Sequence, residues 1–221
     1  MVQGLTELTL FLNLQIGQQI KMNIPINILR KKCAHIDKQK KYIYVGHFKA
    51  GFTSARNHVL KGRSIRPSSK NYLNQNISEE EFNNIFKFTI VRNPYDRVLS
   101  AFYFLQKGNQ GYKIKPDINF NEWIKNVFKV KGVSFNNHFK HMHPKLLYED
   151  KIWVDYIARI ENIENDWKVI SEKCDLPNTF PRKNISKKKD GKNRYDYYND
   201  ESIEIVSNIY KRDLELLNYK Y

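Results

Sequence analysis

With 221 residues, 41% of them hydrophobic and 14% aromatic, the chain is long enough for one packed catalytic domain, too short for two, and too apolar for a disordered polymer. Its 38 Lys and Arg against 23 Asp and Glu give a formal charge of +15, which favours an anionic partner: nucleic acid, a membrane surface, a nucleotide cosubstrate or an acidic polysaccharide. Charge narrows the field to these classes without choosing among them.

Residues 1–40 read as an N-terminal segment of unknown role preceding a single domain over 41–221. The apolar run from Leu5 to Leu14 is interrupted by Thr6, Glu7 and Asn13 and has no basic leader, so it makes a poor signal peptide, and Met22 is an alternative start. No stretch approaches the run of about 18 apolar residues that a membrane-spanning helix needs, and a cytoplasmic location is expected. The two cysteines, Cys33 and Cys174, have no dithiol or zinc spacing, and the six histidines (His35, His47, His58, His138, His141, His143) form no helical His-x-x-x-His set, so no metal is expected. Sequons at Asn76 and Asn184 are of the kind that Lys/Asn/Ser-rich chains produce by chance.

The first strong element is Tyr42-Ile43-Tyr44-Val45, a β-branched and aromatic run that predicts a short buried strand ending at Gly46. After a loop, Thr53 and Ser54 are expected to cap a helix reaching about Leu60. Phe86 to Val91 predicts a second strand, and Arg92-Asn93-Pro94 turns the chain into a helix whose apolar side carries Val98, Leu99, Phe102 and Leu105, sending Arg97 and Gln106 toward solvent. Tyr156 to Ile160 predicts a third strand. Ile163, Trp167, Ile170 and Cys174 then make one helical stripe, closed by Leu176-Pro177, which makes Cys174 a core residue. A basic stretch follows (Arg182, Lys183, Lys187, Lys188, Lys189, Lys192, Arg194), and Asn199 precedes a last helix over about 200–217 carrying Ile203, Val206, Ile209, Tyr210 and Leu214 inward. Strands separated by helices predict an α/β fold: one domain with a central, mainly parallel sheet flanked by helices.

Two segments carry chemistry. Gly46-His47-Phe48-Lys49-Ala50-Gly51-Phe52-Thr53-Ser54 lies between strand and helix, where small residues let backbone amides approach an anion and Lys49, Thr53 and Ser54 supply donors. It is not a Walker A loop, because the Gly-Lys-Ser/Thr order is absent and the lysine precedes Gly51. The second segment is Phe88-Thr89-Ile90-Val91-Arg92-Asn93-Pro94-Tyr95-Asp96-Arg97-Val98-Leu99-Ser100, in which an arginine leaving a strand and a serine two helical turns on can converge on another phosphate.

These two segments resemble the 5′-phosphosulfate and 3′-phosphate motifs of the sulfotransferases, especially the branch that modifies carbohydrates. The resemblance extends to His138-Phe139, similar to a His-Trp pair of that branch, to Arg159-Ile160-Glu161-Asn162, and to the terminal helix and tail from Tyr197 to Tyr219. It departs from the family at Phe48, where a proline is usual, and at Phe52, where a smaller residue is common. It implies a P-loop-like site for 3′-phosphoadenosine 5′-phosphosulfate (PAPS): Lys49 and the amides of Ala50, Gly51, Phe52, Thr53 and Ser54 on the 5′-phosphosulfate, Arg92 and Ser100 on the 3′-phosphate, and Ser186 with nearby lysines closing over the nucleotide. PAP would be the product and a hydroxyl, of a carbohydrate, the acceptor, with no metal required. A base must take the acceptor proton: His138, at the position the resemblance supports, is the candidate, and His47, bordering the loop, is its rival. No nucleic-acid partner is expected. The rival readings are a basic nucleic-acid-binding module, which lacks the Arg/Lys-aromatic signature of the common folds, and a nucleotide kinase with an atypical loop.

Overall fold

The computed structural model describes residues 24–25, 28–29, 34–56, 60, 64–65, 77–108, 114–181 and 194–221. The run Leu5 to Leu14, Met22, the sequon residues Asn76 and Asn184, Ser186 and residues 57–59 of the helix expected after the loop lie outside them. In chain order the strands are β1 (Ala34–Asp37), β2 (Tyr42–Val45), β3 (Ser64–Ile65), β4 (Phe86–Val91), β5 (Leu147–Tyr148), β6 (Lys151–Ile152) and β7 (Tyr156–Arg159). The longer helices are α1 (Glu79–Asn84), α2 (Pro94–Gln106), α3 (Ile163–Cys174) and α4 (Asp200–Leu216). Two compact units result: Met1–Val91 with Met142–Lys183, and Arg92–His141 with Asn184–Tyr221.

The first unit holds a sheet of order β3-β1-β2-β4-β7. β2, β4 and β7 are parallel neighbours, with Val45 opposite Thr89 and Val91 opposite Arg159, while β1 runs antiparallel to both β2 and β3. Only β1 therefore opposes the common direction, and the sheet is mainly parallel, as expected. All four residues of β2 are buried, the pattern of a strand covered on both faces. The α3 stripe packs on the sheet as the 3.6-residue period predicts: Ile163, Trp167, Ile170 and Cys174 join Tyr42, Tyr44 and Phe88 in one cluster. Burial pushes the Cys174 thiol up to about 12, in keeping with a core role. Helix α1 begins at a capping box in which Ser78 and Glu81 satisfy each other's backbone amides.

The second unit is helical and aromatic. Tyr95, Phe102, Phe120, Trp123, Phe128, Phe139 and Tyr210 share its core, with rings meeting edge-on, as Phe102 and Phe120 do at 5.1 Å, or stacked, as Trp123 and Phe128 do at 5.2 Å. Asn199 caps α4 reciprocally with Ser202. Val206 and Tyr210 are buried as expected, while Ile203, Ile209 and Leu214 are only partly buried and Ile205 takes a core place. Among the described residues, no helix is long and apolar enough to cross a membrane.

Candidate functional site

The loop after β2 is built around a ring. A Cβ on Gly46 would lie 2.2 Å from Cε2 of Phe52, so the ring occupies space that only glycine leaves open. Phe52 stacks on Tyr44 (centroids 6.3 Å), meets His35 at 5.8 Å and meets Phe48 edge-on at 5.5 Å. Both departures from the family pattern, Phe48 and Phe52, thus belong to one aromatic cluster that folds the loop back on its own start.

Two positive φ angles shape the rest of the loop: +65° at Lys49 and +74° at Gly51. For lysine this conformation costs about 1 kcal/mol, a local strain of the sort found where a backbone is shaped for a ligand. A Cβ on Gly51 would stand 2.9 Å from Ile160 Cδ1, so that side-chain end would have to shift to admit it. A single helical turn, Phe52–Ser54, follows with Gly51 as its N-cap and no side-chain cap. Thr53 and Ser54 are therefore inside the first turn and do not cap it, a correction to the sequence reading: the helix starts earlier because Gly51 supplies the left-handed residue that launches it. The Ala50 amide donates to the His47 carbonyl at 3.3 Å, and the His47 side chain is buried beneath the loop.

A further cation stands at this loop. Lys145, on the turn His143–Leu146, donates from Nζ to the Gly46 carbonyl at 2.8 Å and lies 5.8 Å over the Phe48 ring. Its pairing with the loop spans 99 positions, which no local pattern carries.

In the second unit, Asn93 starts α2: its Oδ1 accepts from the Tyr95 amide at 3.0 Å, and its Nδ2 donates to the Lys220 carbonyl at 2.9 Å. Pro94 then occupies the first turn, where its missing N–H costs nothing. Arg92 precedes this cap and Ser100 lies on α2, both half-buried. Asp96 pairs with Arg194 at 2.8 Å, so the last residue of the basic stretch is anchored to α2.

Arg97 does not face solvent. It is 2% exposed, donating from Nη1 to the His138 carbonyl at 3.0 Å and from Nη2 to the Lys140 carbonyl at 2.7 Å, with the Tyr210 ring 5.3 Å from its guanidinium carbon. Helical periodicity put it opposite the apolar stripe, but the carbonyls of the segment that covers this side of α2 make a polar, buried environment that periodicity does not register. Gln106, also expected in solvent, is half-buried and donates to the Pro116 carbonyl at 2.8 Å.

His138 sits on a tight turn, Asn137–Phe139, buried and against Phe104 with centroids 4.9 Å apart. Asn136 Oδ1 accepts from the His138 backbone amide at 3.0 Å and lies 2.7 Å from its Nδ1. An amide N–H can only donate, so the atom at this position is an oxygen, and Nδ1 must carry a proton to bond with it. In the neutral imidazole this leaves the lone pair on Nε2.

Back in the first unit, the corner between β7 and α3 is tied by Asp166. Its carboxylate accepts from the Arg159 amide at 2.6 Å and from Asn162 Nδ2 at 2.9 Å. Burial pushes Asp166 up to about 6, against the opposing pull of the Arg159 amide and the Asn162 side chain.

A family model described as the sulfotransferase family matches residues 33–220, beginning just before β1 and ending in the C-terminal tail. No curated protein and no solved structure matches the chain. The chain belongs to the sulfotransferase family, and it is accordingly a transferase with sulfotransferase activity.

Proposed function

We propose that the protein transfers a sulfuryl group from PAPS to a hydroxyl, that of a carbohydrate. The observation that carries this reading is the placement of the two motifs: the Lys49 loop directly follows β2, Arg92 directly follows β4, and these strands are parallel neighbours in register. In mainly parallel α/β sheets the carboxyl ends of adjacent strands are where ligands bind. Family membership favours sulfuryl transfer over a nucleic-acid module or a nucleotide kinase.

In this reading Lys49 and the amides of Ala50, Gly51, Phe52, Thr53 and Ser54 hold the 5′-phosphosulfate in a P-loop-like grip, and Arg92 and Ser100 hold the 3′-phosphate. The positive φ at Lys49 and Gly51 and the closure of the loop by Phe52 support a backbone shaped for an anion. The acceptor oxygen attacks sulfur, the bond from sulfur to the bridging oxygen breaks, and PAP departs with the electron pair. Lys49 stabilises the charge that develops on that bridging oxygen. His138 takes the acceptor proton on Nε2, oriented by Asn136 as a base is oriented by a third group in other acyl and group transfers. His138 is favoured over His47 because Asn136 orients its ring.

Calorimetry with PAP and AMP tests the donor. PAP should bind more tightly than AMP, and Arg92→Ala should erase about ten- to a hundredfold of that preference, the worth of one charge-assisted contact. Equal affinity of the wild type for PAP and AMP would refute the reading.

A further inference from the structure

Three consecutive carbonyls of the segment carrying the candidate base accept hydrogen bonds from side chains. His138 and Lys140 accept from the two terminal nitrogens of Arg97, and Phe139, between them, accepts from the Tyr210 hydroxyl. Both donors are buried, and the guanidinium stands 5.3 Å from the Tyr210 ring. Burying a guanidinium is costly unless its protons are used, so a long arginine placed here serves the backbone it grips. Tyr210 reaches its carbonyl from a residue of α4 whose backbone leaves helical geometry (φ −104°, ψ 17°), the one such residue inside that helix. Burial holds its phenol well above the usual range, so it remains a donor. Arg97 also occupies a particular place on α2, five residues after Arg92 and three before Ser100, on the turn between the two proposed 3′-phosphate contacts.

We propose that Arg97 and Tyr210 form a backbone clamp that positions His138, and that Arg97 thereby ties the base to the helix that carries Ser100. Neither residue touches the reacting atoms; both are positioning residues. The inference rests on His138 acting as the base. The clamp sets the carbonyl positions of residues 138–140, while Asn136 sets the rotation and tautomer of the ring. With both in place the lone pair on Nε2 has a fixed direction, which a base needs if the acceptor is to be deprotonated as it attacks.

The experiment compares Arg97→Met, Arg97→Lys and Tyr210→Phe with the wild type in three readouts: PAP affinity by calorimetry, turnover with a saturating acceptor, and the imidazole nitrogen signals of His138 in protein labelled with 15N-histidine, assigned by their loss in His138→Ala. The clamp predicts that Arg97→Met lowers turnover about a hundredfold, in line with misplacing a catalytic group, while PAP affinity changes by no more than about threefold. Arg97→Lys, which can serve one carbonyl at a time, should recover part of the turnover, and the His138 signals should move in Arg97→Met and Tyr210→Phe. Unmoved His138 signals overturn the clamp, as does a loss of turnover matched by an equal loss of PAP affinity. Should Arg97→Met not fold, Tyr210→Phe, which removes a single oxygen, decides on the same readouts. Full turnover in His138→Ala would instead refute the base assignment, and the nitrogen signals would still decide the clamp.

Discussion

Replacing Gly46 by alanine tests whether the loop after β2 is shaped by the Phe52 ring. The new methyl would lie 2.2 Å from Cε2 and 2.3 Å from Cδ2 of Phe52, well inside contact distance, so the ring must leave its place. Leaving costs the contacts with Tyr44, His35 and Phe48, each worth about 0.5–1.5 kcal/mol, and the overall penalty should match an overpacked site at about 1–3 kcal/mol. Chemical denaturation should register that loss, and PAP affinity should fall with it because Lys49 and Gly51 hold their left-handed angles within the same loop. Phe52→Ala alone should also destabilise, but in the Gly46→Ala background it removes the collision, so the double variant should be more stable than the sum of the single effects by at least about 1 kcal/mol. Additivity within about 0.5 kcal/mol would refute the argument, since two residues in this geometry cannot act independently.

Lys49→Ala should reduce turnover about a hundredfold while PAP affinity falls less, because the charge it meets develops during transfer; a variant retaining half the wild-type turnover in a radiolabelled sulfate assay would remove Lys49 from the mechanism. Cys174, buried and with its thiol pushed up to about 12, should resist maleimide at pH 8 in a Cys33→Ser background and react only in denaturant; stoichiometric labelling of the native protein would contradict its core placement. Asp166 should make stability fall as pH rises from about 4 to about 6, because its carboxyl is raised from 3.8 to about 6 and the folded state holds the proton longer than the unfolded one. The stabilising contribution is complete below the unfolded value and lost above the folded one, a difference on the order of 3 kcal/mol, so denaturant midpoints of Asp166→Asn should lack this component of the slope; identical pH profiles for variant and wild type would refute it.

Much of the scaffold is legible in the sequence because its signals are local. Strands β2, β4 and β7 announce themselves as short runs of β-branched and aromatic residues, and α3 by a stripe at intervals of four, three and four. The capping box at Ser78 and Glu81 is an equally local signal, and it marks the start of α1. Strand β1 is harder: Ala34-His35-Ile36-Asp37 has weak strand character, and its four residues are buried because β2 and β3 flank it. That pairing is a tertiary fact which outweighs local propensity.

The site divides along the same line. Lys49, Gly51, Arg92 and Ser100 stand in motifs whose spacing carries their chemistry, whereas Lys145 reaches the loop from 99 positions away and Arg97 is defined by carbonyls 41 and 43 positions further along. Periodicity treats any charged residue off the apolar stripe as solvated, which is a sound inference for an isolated helix. It fails at Arg97 because the neighbouring segment offers backbone oxygens where water would otherwise stand, and a guanidinium, with donors on two terminal nitrogens splayed in one plane, fits two carbonyls two residues apart. A charged residue inside a candidate phosphate motif whose donors go to protein backbone, as those of Arg97 do, is therefore the signal to seek, and under the proposed function it marks the segment whose position the reaction depends on.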